Sequence, residues 1–235
     1  MSHLNVVPTA LITGASRGFG RALARELSSR GWHLVLDARH ADELLVLANE
    51  LPDVVAVAGD VTDPLHRQAI TAAVEVFGGL DLLVNNASDL GPHPLPELAD
   101  YPLAELRRVY ETNVLAPLAL VQLLLPALHA RQGTVVNLSS DAAVQAYGGW
   151  GGYGSSKAAL DHIGSVLAVE RPQLRIYGFD PGDMRTRMHQ DAFPGEDISD
   201  RPEPESVVPT LLRLLDKRPI SGRYRAEDLA IEVSR

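Results

Sequence analysis

The chain has 235 residues, of which 46% are hydrophobic, carries a net charge of −9 and contains no cysteine. That length suits one α/β domain over residues 1–235 and is short for two separate cores, while the apolar content excludes a disordered chain. The negative charge argues against nucleic acid or an acidic membrane surface as a partner, and the missing cysteines exclude disulfides, a thiolate nucleophile and thiolate metal ligands, as expected of a cytoplasmic protein.

Residues Met1 to Asn5 lack the basic and apolar regions of a signal peptide. A short apolar run at 9–13 then enters a glycine-rich turn, and from 18 to 30 the spacing of Ala22, Leu23 and Leu27 is helical. The pattern repeats. Strands are expected at 33–37, 54–58, 80–84, 134–138 and 174–179, with helices at 41–51, 63–77, 103–130 and 151–170. Within the long helix the most apolar stretch, 114–128, is interrupted by Pro117, Gln122 and Pro126, so no bilayer span is expected. Strands that are apolar along their whole length imply burial on both faces, the mark of a parallel sheet covered by helices, hence a doubly wound fold. The least regular region is 182–205, with two prolines in Arg201-Pro202-Glu203-Pro204.

The segment Thr13-Gly14-Ala15-Ser16-Arg17-Gly18-Phe19-Gly20 lies between the first strand and the first helix, where parallel sheets bind ligands. Gly14 allows a tight turn, Gly18 lets backbone approach a pyrophosphate and Gly20 lets the helix pack closely, while free N–H groups at the helix start attract an anion. Gly14, Ser16, Arg17, Gly18, Phe19 and Gly20 are therefore candidate cofactor contacts. At the end of the second strand an acid would accept from the ribose of NAD and a base would pair with the extra phosphate of NADP. The chain reads Leu36-Asp37-Ala38-Arg39. The usual acidic position falls on Ala38, and Arg39 with Arg17 can converge on a phosphate, which favours NADP(H). NAD(H) is the alternative, with Asp37 on the ribose and both arginines ordinary surface charges. Asp60 and Val61 follow the third strand, and Asn86 and Ala87 the fourth; these are adenosine-side candidates, or else turn and cap residues, as Asp63 is by itself.

Tyr153 and Lys157 are four residues apart on an expected helix, so phenol and ammonium share one face. The cation is expected to lower the phenol's pKa toward the range of a working proton donor. Ser140, at the end of an apolar strand, can hold a carbonyl oxygen against that phenol.

Together the glycine loop, Asn85-Asn86-Ala87, Asn113, Ser140, Tyr153, Lys157 and Pro181-Gly182 resemble the short-chain dehydrogenases/reductases of the classical type, from about Thr9 to Met188. The resemblance implies a Rossmann-like, mostly parallel sheet of seven strands with helices on both faces. It also implies NAD(P)-dependent hydride transfer on a small carbonyl or alcohol substrate, and a homodimer or homotetramer built on the long helices. By the same resemblance Tyr153 is the general acid, Lys157 tunes it and binds the nicotinamide ribose, Ser140 steadies the carbonyl, and Asn113 keeps a water linked to Lys157. Pro181, Gly182 and Thr186 would lie at the nicotinamide, Thr186 contacting its carboxamide or else capping a short helix. The chain departs from the family at Ser88, where glycine is usual, and at the glycine-rich stretch 148–152 around Trp150. It departs again in a shortened 171–174 segment and in a tail after Asp216 that leaves the last strand in doubt. The eight histidines show no ligand spacing, so no metal is expected, and Gly154-Ser155-Ser156 lacks the spacing of a hydrolase nucleophile. The expected function is an NADP(H)-dependent oxidoreductase interconverting a ketone or aldehyde and an alcohol. The alternative is a catalytically silent NADP(H)-binding regulatory or scaffold protein.

Overall fold

In the computed structural model, which describes residues 7–231, the central strand β1 (Thr9–Ile12) is flanked by β2 (His33–Ala38) and β4 (Leu82–Asn85). Beyond β2 lies β3 (Val54–Ala58), and beyond β4 follow β5 (Thr134–Leu138), β6 (Arg175–Asp180) and β7 (Gly222–Arg225). Every one of the pairings is parallel. The fold is thus a Rossmann-like sheet of seven parallel strands, sharper than the mostly parallel sheet expected. The strand order reverses at β1, and the crevice between the carboxyl ends of β1 and β4 is where such sheets bind ligands.

Alternation along the strands divides the core. Ala10, Ile12, Leu34 and Leu36 face one layer, formed by helices α1 (Gly18–Ser29), α2 (Ala41–Glu50) and α8 (Pro204–Lys217). Leu11, Val35 and Leu83 face the other, formed chiefly by α3 (Pro64–Glu75) and α5 (Ala116–Arg131). Burial on both faces explains why these strands are apolar throughout. Asp63 caps α3, its carboxylate accepting from the Leu65 N–H at 2.9 Å.

The helix expected over 103–130 has three parts. After α4 (Leu103–Tyr110) the chain widens into a π-turn at Glu111–Leu115, with the Ala116 N–H bonded to the Glu111 carbonyl, before α5 begins. Pro117 explains the change: it has no N–H for the carbonyl four residues back, which belongs to Asn113. The whole stretch Leu103–Arg131 is long and apolar enough to cross a membrane by length and composition alone, a test that a helix buried in a core also meets. Its residues Leu120, Val121, Leu124 and Leu128 are packed on the sheet. β7 forms despite the missing glycine-rich close, pairing Tyr177 with Gly222 and Phe179 with Tyr224. The irregular region contains a short helix, α7 (Arg187–Ala192), and leads into α8. The longest helix, α6 (Gly151–Glu170), starts at the ligand-binding edge, and α9 (Ala226–Ile231) follows β7.

Candidate active site

The glycine loop is stitched to β4. Asn86 Nδ2 donates to the Thr13 carbonyl at 2.8 Å and the Gly14 carbonyl at 3.0 Å, while Thr13 Oγ1 accepts from the N–H groups of Asn86 and Ala87. A Cβ on Gly14 would lie 2.9 Å from Ala87 Cα, and one on Gly20 would lie 2.6 Å from Asn86 Nδ2. Gly20 therefore serves the loop's contact with the Asn86 amide, more than helix packing on the strand. Arg17, the N-cap of α1, makes no side-chain cap, and the first turn holds no acid. Its N–H groups and positive dipole end are thus open to an anion.

This loop forms one wall of a groove of about 530 Å³. The sequence candidates Gly14, Ser16, Arg17, Gly18, Phe19, Arg39, Asp60, Val61, Asn86, Ala87, Tyr153, Lys157, Pro181 and Thr186 line it. Gly20, Asn113, Ser140 and Gly182 are not lining residues, whereas Ser88, Met184 and Met188 are, together with Arg21 and His40, which no sequence pattern singled out. Arg25 is paired with Glu50, and no ion pair among the described residues engages Arg17, Arg21 or Arg39. Burial raises the Asp60 carboxyl, but hydrogen bonds from Thr62 and the Arg39 charge outweigh it and leave its pKa lowered. Asp37 is 1% exposed and meets His66 Nε2 at 2.6 Å. Burial raises its pKa, opposed by His66 and the Gly14 N–H.

At the other end, α6 presents Tyr153 and Lys157, both buried. The glycines on either side of Tyr153 let the helix approach its neighbours: a Cβ on Gly152 would lie 2.4 Å from the Tyr101 ring, and one on Gly154 2.6 Å from the Ala142 carbonyl. Lys157 Nζ donates to the Leu138 carbonyl at 2.7 Å and lies 5.5 Å from the Tyr153 ring centroid. The expected lowering of the phenol's pKa by Lys157 is corrected here. The ammonium is bound to β5 and not to the phenol oxygen, and burial of both groups disfavours their charged forms. Burial raises Tyr153 well above the usual phenol range; hydrogen bonds with Ser88 and Ser140 oppose this, and the Asp180 and Asp141 carboxylates add to it. Burial likewise lowers Lys157 to about 8, with Asp161 opposing.

Ser140 Oγ donates to Asp141 Oδ1 at 2.9 Å and accepts from the Ala142 N–H at 3.2 Å. Asn113 is fully buried, and its side chain is used within the protein. Nδ2 donates to the Asp89 carbonyl and to Ser156 Oγ, while Oδ1 accepts from Ser88 Oγ and the Asp89 N–H. Ser156 in turn donates to the Tyr153 carbonyl at 2.6 Å, so the π-turn is fastened to α6 beside the phenol. Ser88, noted in the sequence only as a departure, thus bridges Asn113 and Tyr153.

Beneath Ser140, Arg223 of β7 donates to the Ser140 carbonyl at 2.9 Å, to Asp180 at 2.7 Å and to Asp161 at 3.2 Å. Asp161 also accepts from Ser139 Oγ at 2.6 Å. No local pattern marks these partners, which come from four elements. The far wall is apolar. Trp150 packs edge-on against Tyr153 and tilted against Phe193, both at 5.8 Å between centroids, with Leu90, Leu95 and Met188 nearby. Thr186 accepts from the His189 N–H at 3.2 Å and so caps α7, as one of its two sequence readings expected; its methyl group faces Gly18. Arg185 pairs with Glu203, and its N–H bonds the Pro202 carbonyl, tying this segment to the start of α8.

Comparisons with known proteins agree on one family. Residues 8–197 match the family model described as short chain dehydrogenase. The chain is 37% identical over 183 residues to a serine 3-dehydrogenase of Agrobacterium fabrum, covering 76% of this chain and 72% of that one. It is 39% identical over 197 residues to the sepiapterin reductase of Mus musculus, covering 77% and 76%. Among solved structures, a short chain dehydrogenase of Shigella flexneri complexed with NADP superposes with a TM-score of 0.86 at 28% identity, over 95% of this chain and 99% of that one.

Proposed function

The chain belongs to the short-chain dehydrogenases, a family of oxidoreductases, and from that premise we propose that it is an NADP(H)-dependent carbonyl reductase. It would interconvert a ketone or aldehyde and an alcohol. The observation that carries the proposal is the convergence on one groove of an uncapped helix start, of Arg17 and Arg39, which no ion pair among the described residues engages, and of the Tyr153–Lys157 face of α6. A relative named as a reductase and a structural neighbour complexed with NADP support it.

The residues present fit the cofactor. The first-turn N–H groups of α1 would take the pyrophosphate, Arg17 and Arg39 a ribose phosphate, Asp60 and Val61 the adenine side, and Lys157 with the 181–186 segment the nicotinamide side. When bound, the cofactor supplies or accepts the hydride at the carbonyl carbon. Tyr153 gives its phenolic proton to the carbonyl oxygen, so the developing alkoxide becomes a hydroxyl. Ser140 turns its hydroxyl from Asp141 to the same oxygen, and Asp141 keeps the Tyr147 hydroxyl and the Ala142 N–H. Lys157 spends one donor on Leu138 and retains two, with its charge, to support the phenolate. Trp150, Met188 and Phe193 favour a substrate with an apolar body beside its carbonyl.

Following NADPH oxidation by the purified protein across a panel of ketones and aldehydes tests the proposal. Turnover with an apolar carbonyl is expected. Tight NADPH binding with no turnover across a broad panel would favour the silent binding protein instead.

A further inference from the structure

We infer that His66 sets the cofactor preference by holding the Asp37 carboxylate away from the adenosine ribose, leaving that end of the groove to Arg17 and Arg39. The inference rests on the NADP(H) reading of the groove. β2 places Asp37 on the α3 face, because Leu36 and Ala38 point into the α1 layer and Val35 into the α3 layer. There His66, on the first turn of α3, meets the carboxylate at 2.6 Å, with side-chain exposures of 7% for His66 and 2% for Asp37. The imidazole is closely packed on its other edge. It lies so close to Gly59 that a Cβ there would be 2.3 Å from Nδ1, and Gly59 immediately precedes Asp60 on the adenine side. Burial raises the Asp37 carboxyl, with His66 and the Gly14 N–H opposing, and the main-chain carbonyl of Asp37 takes the Ala15 N–H at 2.9 Å.

An acid at the end of the second strand is what a ribose hydroxyl would seek, and what a ribose phosphate would be repelled by. Here the acid exists but is occupied. Asp37 lines the groove with hydrogen bonds already made to the facing imidazole and to the Gly14 N–H; deprived of the imidazole, it becomes a buried, uncompensated group beside the phosphate position. His66 is thus a positioning residue, acting on the cofactor only through Asp37.

Cofactor fluorescence titrations on the full-length protein test this, comparing dissociation constants for NADPH and NADH in wild type, His66→Leu, Asp37→Asn and the double variant. Wild-type preference for NADPH checks the underlying reading; preference for NADH would remove that reading while leaving the effect of His66 measurable. His66→Leu is expected to move the NADH/NADPH ratio about tenfold or more toward NADH. Asp37→Asn, which keeps an oxygen for Gly14, and the double variant are each expected to stay within about threefold of wild type. A ratio unmoved by His66→Leu overturns the inference. So does a loss of NADH affinity of about tenfold or more in Asp37→Asn, because Asp37 would then be meeting the ribose. Asp37→Asn decides the matter if His66→Leu does not fold.

Discussion

Lys157 is 2% exposed and has a single carbonyl partner, so the charge proposed to support a phenolate is held where charge is costly. With its pKa lowered to about 8, the folded chain binds fewer protons than the unfolded chain from there up to an ordinary lysine value of about 10.4. Stability rises with pH across that window, and the full cost of the charge is present below it. Lys157→Met is therefore expected to stabilise the cofactor-free protein by about 1–3 kcal/mol at pH 7, while abolishing turnover. Melting curves of both proteins from pH 7 to 10 check this. The gap should narrow as pH rises, and a variant that melts lower than wild type at pH 7 would contradict it. The same opposition between burial and function holds at Tyr153, whose phenol is raised by burial and eased down by Ser88 and Ser140.

At the scale of elements, β7 matters more than its four residues suggest. Arg223 joins it to the Ser140 carbonyl, to Asp180 at the end of β6 and to Asp161 on α6, so the edge strand braces the turn that carries Ser140. Arg223→Ala leaves Asp180, whose side chain is 4% exposed, without its cation and should destabilise the fold by about 3 kcal/mol. Denaturant unfolding measures this, and a loss under about 1 kcal/mol would show that the network contributes little. The strand was hard to foresee because Gly-Arg-Tyr-Arg has no apolar run; only Tyr224, edge-on to Tyr177 at 5.6 Å, packs inward. The six other strands were legible because burial on both faces makes them continuously apolar. The glycine loop and the Tyr153–Lys157 pair were legible because their spacing is local. What stayed hidden is long-range: His66 on Asp37, 29 residues apart, and Arg223 on the Ser140 carbonyl, 83 apart. The π-turn was half visible, since Pro117 announces a missing N–H, though not that the helix would widen instead of ending.

For the whole molecule, the same sheet edge gathers an uncapped helix start, a groove of about 530 Å³ and the Tyr153–Lys157 pair, and the long helices carry some apolar residues on their outer faces. Leu123 on α5 and Val166 and Val169 on α6 are exposed, Val169 by 82%, and we propose that the homodimer or homotetramer implied by the family resemblance covers them. Light scattering should report a dimer or tetramer for the wild type and a smaller species for Val169→Glu; a monomeric wild type would refute that assembly. The central claim is that this fold transfers a hydride with Tyr153 as the proton donor. Its most direct test compares Tyr153→Phe with wild type for NADPH binding and for carbonyl-dependent NADPH oxidation. Binding within about threefold of wild type, with turnover down by about 10²–10⁴, is the predicted result. Undiminished turnover in the phenylalanine variant would contradict it.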